Sequence, residues 1–180
     1  LVRRDGSSQF GADERYNNYS RVSAAGRITE DITIPGVQEM KINAAYGTSG
    51  QRPGFNWQYE QVSLSNGQLS SNRLKGNSNL KPSTSAETEI GLNISFLDRF
   101  TFEAAHATTE TSDQFMLVGL FSPANAGKNR QWQNVGDLEA TTIEASLKAK
   151  VLNTQNMRWD IGVNYATTTN EIKALNACLL

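Results

Sequence analysis

Cysteine, histidine and proline are all scarce in this chain of 180 residues: one cysteine (Cys178), one histidine (His106) and four prolines. A lone cysteine excludes an internal disulfide framework and a CxxC metal pair. One histidine and one cysteine, far apart in sequence, offer no metal-ligand spacing. No G-x-S-x-G elbow frames a serine. No cofactor or metal is therefore expected. No run of about 18 apolar residues occurs, which excludes a membrane-spanning helix but not a barrel whose strands are half polar. The net charge of −1 shows no excess of either sign, so nucleic acid is not an expected partner. No apolar core of signal length follows Leu1-Val2-Arg3-Arg4, and the chain reads as an internal or truncated piece of something longer.

What the chain has in abundance is two-residue alternation. Ala86, Thr88, Ile90, Leu92, Ile94 and Phe96 alternate with Glu87, Glu89, Gly91, Asn93 and Ser95. Successive side chains of a strand face opposite sides, so this run is a ribbon with one apolar and one polar face. A helical period would scatter the same apolar set around its axis. The pattern recurs at Val22–Ile28, Met40–Tyr46, Phe100–Ala104, Ile143–Val151 and Met157–Tyr165. The expected fold is all-β: an antiparallel up-and-down meander of about six long strands. Glu87, Glu89, Glu103, Glu144, Lys148, Lys150, Arg158 and Asp160 all fall on the polar side. His106 shares parity with Phe100 and Phe102 and is placed near one rim.

Connections alternate in length. Leu97-Asp98-Arg99, Asn153–Asn156 and Thr29–Glu39 are short; Arg4–Tyr19, Thr48–Thr84 and Ser112–Leu138 are long. In a meander this puts short turns on one rim and long loops on the other, as in outer-membrane barrels. The runs at 85–96, 100–111, 139–152 and 157–168 meet the roughly 9–11 residues that a tilted strand needs to cross the hydrocarbon layer. Phe96, Phe100, Phe102 and Trp159 flank short turns, while Tyr16, Tyr19 and Tyr165 are assigned to the long-loop end. Aromatic girdles at both interfaces have this form.

Four stretches carry a resemblance. They are Arg3–Gly11 followed by Val22–Ile28, Ile42–Gln51, Gly76–Pro82 running into Glu87–Leu92, and Asn134–Glu139 running into Ile143–Leu147. Together they resemble the C-terminal barrel region of TonB-dependent outer-membrane receptors of the SusC/RagA type. That family often has tryptophan where Gly26 stands, and Asn-Lys-Gly before the isoleucine at 143. The resemblance implies residues 1–180 as a single partial segment of a transmembrane β-barrel of about 22 strands, with the plug domain and remaining strands outside the chain. It implies a non-enzymatic receptor taking up an oligosaccharide or peptide across the outer membrane of a Gram-negative bacterium. The implied partners are outer-membrane lipid, the TonB complex, a SusD-like surface lipoprotein and the nutrient ligand.

Two other readings stand beside it. A soluble β-sandwich binding module would pack the apolar faces on each other. A barrel hydrolase would use Glu87, Glu89, Glu103 or His106, since paired carboxylates do acid–base work when one pKa is raised. The better functional candidates are aromatic and basic residues in the long loops: Arg52, Phe55, Trp57, Tyr59, Arg130 and Trp132. Aromatic faces stack on sugar or aromatic rings, and loops on a rigid scaffold commonly carry binding. The competing expectation is that these aromatics pack the loops onto each other.

Overall fold

The computed structural model describes residues 1–8, 15–71 and 73–175. Gln9, Phe10, Gly11, Cys178 and Leu180 lie outside the described residues. The strands are β1 (Val2–Gly6), β2 (Tyr16–Arg27), β3 (Val37–Gln51), β4 (Val62–Ser65), β5 (Gln68–Ser71), β6 (Leu74–Lys75), β7 (Ser83–Phe96), β8 (Phe100–Gly119), β9 (Arg130–Asn153) and β10 (Arg158–Leu175). A four-residue helix, α1 (Ile28–Asp31), sits in the β2–β3 connection. One antiparallel sheet runs β1-β2-β3-β7-β8-β9-β10; β6 adds a short parallel pairing to β9, and β4 and β5 form a separate hairpin. The sheet does not close on itself among the described residues.

The register brings the apolar sets of neighbouring strands side by side. Ile42 lies opposite Leu92, Leu92 opposite Ala104, Ala104 opposite Ala145, and Ala145 opposite Tyr165. Met40, Ile94, Phe102, Leu147 and Val163 form the next such row. These side chains are not sealed against a second sheet: Ile90 is 55% exposed, Leu147 41% and Val163 64%. A sandwich would have buried them, so that reading fails. The polar face is the concave one, with a depression of about 580 Å³ lined by Asn43, Glu89, Asn93, Glu103, Glu144 and Asn164 among others.

Short turns gather at one rim. Leu97 and Asp98 take left-handed φ values of 53° and 57° to close the three-residue β7–β8 turn. The rings of Phe96 and Phe100 stack across it at 5.2 Å. At the other turn, the Thr154 N–H donates to the Met157 carbonyl (2.8 Å), and the Met157 N–H donates to Thr154 Oγ1 (3.1 Å). Phe100 pairs with Ala149 while β9 runs on to Asn153, the stagger that tilted strands produce.

The strands reach further than strict alternation implies. The expected Ser112–Leu138 loop is mostly strand: β8 continues to Gly119 and β9 begins at Arg130. Bulges between Thr111 and Gln114 and between Gln114 and Phe115 shift the side-chain parity there, and Asp113 has φ 57°. For the same reason Tyr165 is not at a loop end, because β10 continues ten residues beyond it to Leu175. Among the described residues, the buried large apolar side chains include Tyr19, Leu80, Phe115, Val118 and Val135, all toward the long-loop rim. The packed core thus sits beneath the loops, not in the wall.

Candidate functional site

The crown over the long-loop rim is built on the Gly76–Pro82 segment. The Asn77 N–H donates to the Trp57 carbonyl (2.9 Å), and Asn77 Nδ2 donates to the Trp132 carbonyl (2.8 Å). Gln131 Nε2 donates to the Gly76 carbonyl (2.9 Å). Gly76 is required by close approach: a Cβ there would meet the Gln58–Glu60 backbone at 2.6–2.8 Å. Leu80 is fully buried and Pro82 is buried just before β7, where a residue without an N–H costs no ladder bond.

Asn134 ties this segment to the bulge. Its Oδ1 accepts from the Lys81 N–H (3.0 Å), and its Nδ2 donates to the carbonyls of Lys81 (3.1 Å) and Asp113 (2.7 Å). The Asp113 N–H in turn reaches Asp137 Oδ1 (3.3 Å). The third and fourth resembling stretches therefore meet in space, as one clamp at the base of the loops.

The six candidate residues divide. Trp57 stacks on Trp132 with centroids 3.9 Å apart and planes 10° from parallel, and meets Phe115 edge-on at 5.4 Å. These rings pack the crown, as the competing expectation had it. Trp132 and Arg130 lie in β9, not in a loop; Arg130 opens that strand with its side chain exposed. Phe55 and Tyr59 are 68% and 57% exposed, tilted against each other at 6.4 Å. Arg52 follows β3 and is exposed. Arg52, Phe55, Tyr59 and Arg130 are the four that present surface. Sequence reading missed Phe115, whose place beside Trp57 depends on the bulge.

Glu89 and Glu103 line one depression, but His106 is not brought together with the carboxylates. Glu87, Glu89 and Glu103 lie on the concave face, whereas His106 lies between Ile90 and Ile143 on the opposite face. Glu87 accepts from Thr109 Oγ1 (3.1 Å), and Glu103 lies 3.7 Å from Lys148 Nζ. They are charges of a hydrated wall.

Comparison with known proteins agrees with this architecture. The family model described as TonB dependent receptor-like, beta-barrel, matches residues 2–177. TonB-dependent receptor SusC of Bacteroides thetaiotaomicron is 29% identical over 191 aligned positions, spanning 97% of this chain and 19% of SusC. TonB-dependent receptor P26 of Formosa agariphila is 30% identical, spanning 94% of this chain and 18% of that protein. The RagAB peptide importer in its closed-closed state superposes with a TM-score of 0.82 at 25% identity, covering 99% of this chain and 20% of that one. The chain spans about a fifth of the length of these relatives. They are receptors and transporters of the outer membrane of Gram-negative bacteria, not enzymes. A chain matched by the family model along nearly its whole length, with a meander sheet that superposes on RagAB, belongs to the TonB-dependent receptor β-barrel family and is of the SusC/RagA type.

Proposed function

We propose that this chain forms part of the barrel wall and external crown of a receptor that imports an oligosaccharide or peptide across the outer membrane. Import is driven through the TonB complex, and a SusD-like lipoprotein covers the loop rim. The observation that carries the reading is the sidedness of the sheet. Its convex face is apolar and uncovered, its concave face is charged, and loops bearing exposed aromatics cluster at one rim. Hydrocarbon tails cover the first face, and the second faces the path of the nutrient. Arg52, Phe55, Tyr59 and Arg130 contact that nutrient, while Trp57 and Trp132 hold the platform. The uptake of labelled oligosaccharides and labelled peptides by cells carrying the full-length receptor tests this. Uptake of one class is expected to fall several-fold in a Phe55→Ala/Tyr59→Ala variant and to vanish without TonB. Uptake of both classes that persists unchanged without the receptor would overturn the proposal.

A further inference from the structure

At the long-loop rim, the ends of β1 and β3 enclose a depression of about 560 Å³, within the size range of small-ligand sites. Its side-chain lining is Arg4, Asp5, Ser7, Tyr19, Gln51 and Arg52, and Gly6 and Gly50 supply bare backbone. No aliphatic side chain contributes. Arginine is dense here for a chain without net excess of either charge: Arg3 and Arg4 open β1, and Arg52 follows β3.

Rings and glycines hold this cluster in place. Arg3 pairs with Asp5 (2.9 Å) and lies over the Tyr19 ring at 5.6 Å. Arg4 lies over the Tyr16 ring at 4.8 Å. A Cβ at Gly6 would meet the Tyr16 ring at 2.7 Å, and one at Gly50 would fall on the Tyr19 hydroxyl, so close approach requires both glycines. The ring contacts orient the guanidinium groups without neutralising them. Asp5 is already matched by Arg3. Among the described residues, neither Arg4 nor Arg52 has a carboxylate within ion-pair distance. Further along β3 and β7, Arg21 lies with Glu87 and Glu89, a set without that cationic excess.

We propose that this depression holds an anionic sugar residue of the nutrient, a uronate or a sulfated sugar, with Arg4 and Arg52 on its oxyanion. The inference rests on the receptor reading above and deepens it, since it selects oligosaccharide over peptide and acidic over neutral. A guanidinium presents its N–H donors in a planar fork that matches two oxygens of a carboxylate or sulfate. Charge-assisted bonds of this kind are roughly twice as strong as neutral ones. Asp5 accepts from sugar hydroxyls, and the Gln51 amide both donates and accepts. The same lining disfavours a peptide, whose apolar side chains find nothing aliphatic to pack on.

The test is calorimetric titration of the full-length receptor in detergent. The probes are an oligogalacturonate and its methyl ester, a sulfated oligosaccharide and its desulfated form, and an oligoglutamate of similar length. One acidic oligosaccharide is expected to bind about tenfold or more tightly than its neutral form, and which one does so separates carboxylate from sulfate. Arg4→Gln/Arg52→Gln is expected to bring that ratio near one. Arg4→Lys/Arg52→Lys is expected to keep only part of it, because an ammonium carries the charge without the fork. Heat-modifiable gel mobility reports that the barrel is folded. Should the glutamine variant fail to fold, the acidic preference of the unmutated receptor is expected to shrink as salt is raised through the range where the Debye length falls from about 10 Å to about 3 Å. A ratio near one in the unmutated receptor, or an unchanged ratio in the folded glutamine variant, would overturn the proposal. So would tighter binding of oligoglutamate than of either acidic oligosaccharide, or displacement of the sugar by lipopolysaccharide micelles. A gain of about tenfold in Asp13→Asn/Glu14→Gln would also overturn it, since the chain's own carboxylates would then be the occupants. TonB-dependent uptake of neutral oligosaccharides or peptides without any acidic preference defeats only this inference. A receptor that supports no TonB-dependent uptake defeats the receptor reading, and this one with it.

Discussion

Arginine substitutions along a single strand provide a direct test of what covers the convex face. On β9 the outward positions are Thr141, Ile143, Ala145, Leu147 and Ala149, with Val151 at a bulge toward the turn, and Glu139 brackets them toward the loops. Thr141 to Val151 is ten residues, about 34 Å along the strand at ~3.4 Å each and about 26 Å along the barrel axis at ~40° tilt. That matches the roughly 25 Å height of an outer-membrane apolar band. Ala145 and Leu147 then lie at mid-depth. Arginine there is expected to cost about 2–4 kcal/mol, against about 0–1 kcal/mol at Thr141 or Val151. In equilibrium terms the peak is roughly 30- to 900-fold and the flanks are fivefold or less. Arginine at Ser146, one residue away on the concave face, is expected to cost little. The assay is reversible urea unfolding of the full-length receptor in lipid vesicles, with each variant compared at a fixed slope. A flat profile along β9, or an equal penalty at Ser146 and Leu147, would refute the assignment of this face to lipid.

Three further outcomes follow from the geometry. Asn134→Ala removes three hydrogen bonds, worth about 2–4 kcal/mol in all, and is expected to raise amide exchange at Lys81 by about 30-fold or more while strand exchange in β9 below Gly136 stays slow. Leu97→Asn relieves a left-handed leucine (φ 53°) that is 60% exposed, and is expected to stabilise by about 1 kcal/mol in the same urea assay; a loss instead would mean that Leu97 packing over Gly36 outweighs the strain. Gly26 faces outward at the turn end of β2, with nothing within 4 Å of where a Cβ would stand, so Gly26→Trp is expected to be accommodated and to add about 1 kcal/mol through interfacial burial of the ring; destabilisation would place another element over that site.

Wherever the two-residue period is unbroken, the sequence is a direct image of the wall. From Ala86 to Phe96 and from Ile143 to Val151, every outward residue was legible because a one-residue slip would turn the whole apolar set to the wrong side. Legibility ends at the bulges. Once Ser112 and Asp113 interrupt the register, Phe115, Leu117 and Trp132 no longer share parity with the strand below, and strand reads as loop. β1 was hidden for another reason. Its five residues contain one apolar side chain, and it is held by the backbone ladder to β2 and by Arg4 placed 4.8 Å from the Tyr16 ring. The clamp joining Lys81 to Asn134 links positions 53 apart, and no local pattern announces such a pair.

The same geometry separates the two kinds of information in the crown. Leu80, Pro82, Ser83 and Val135 are buried, and Gly76 has backbone where a side chain would go. A change at any of them leaves a cavity, a clash or an unpaired polar group beneath the loops, so their chemistry is tied to the fold. Phe55 and Tyr59 stand on that base with most of their surface free, Arg52 is exposed as well, and replacing them empties no packed space. Surface changes of that kind typically stay within about 0.5 kcal/mol of stability. The anchor therefore specifies which barrel this is, while the exposed tips can be exchanged at almost no structural cost. On the receptor reading, that freedom is what allows one crown architecture to be fitted to different nutrients.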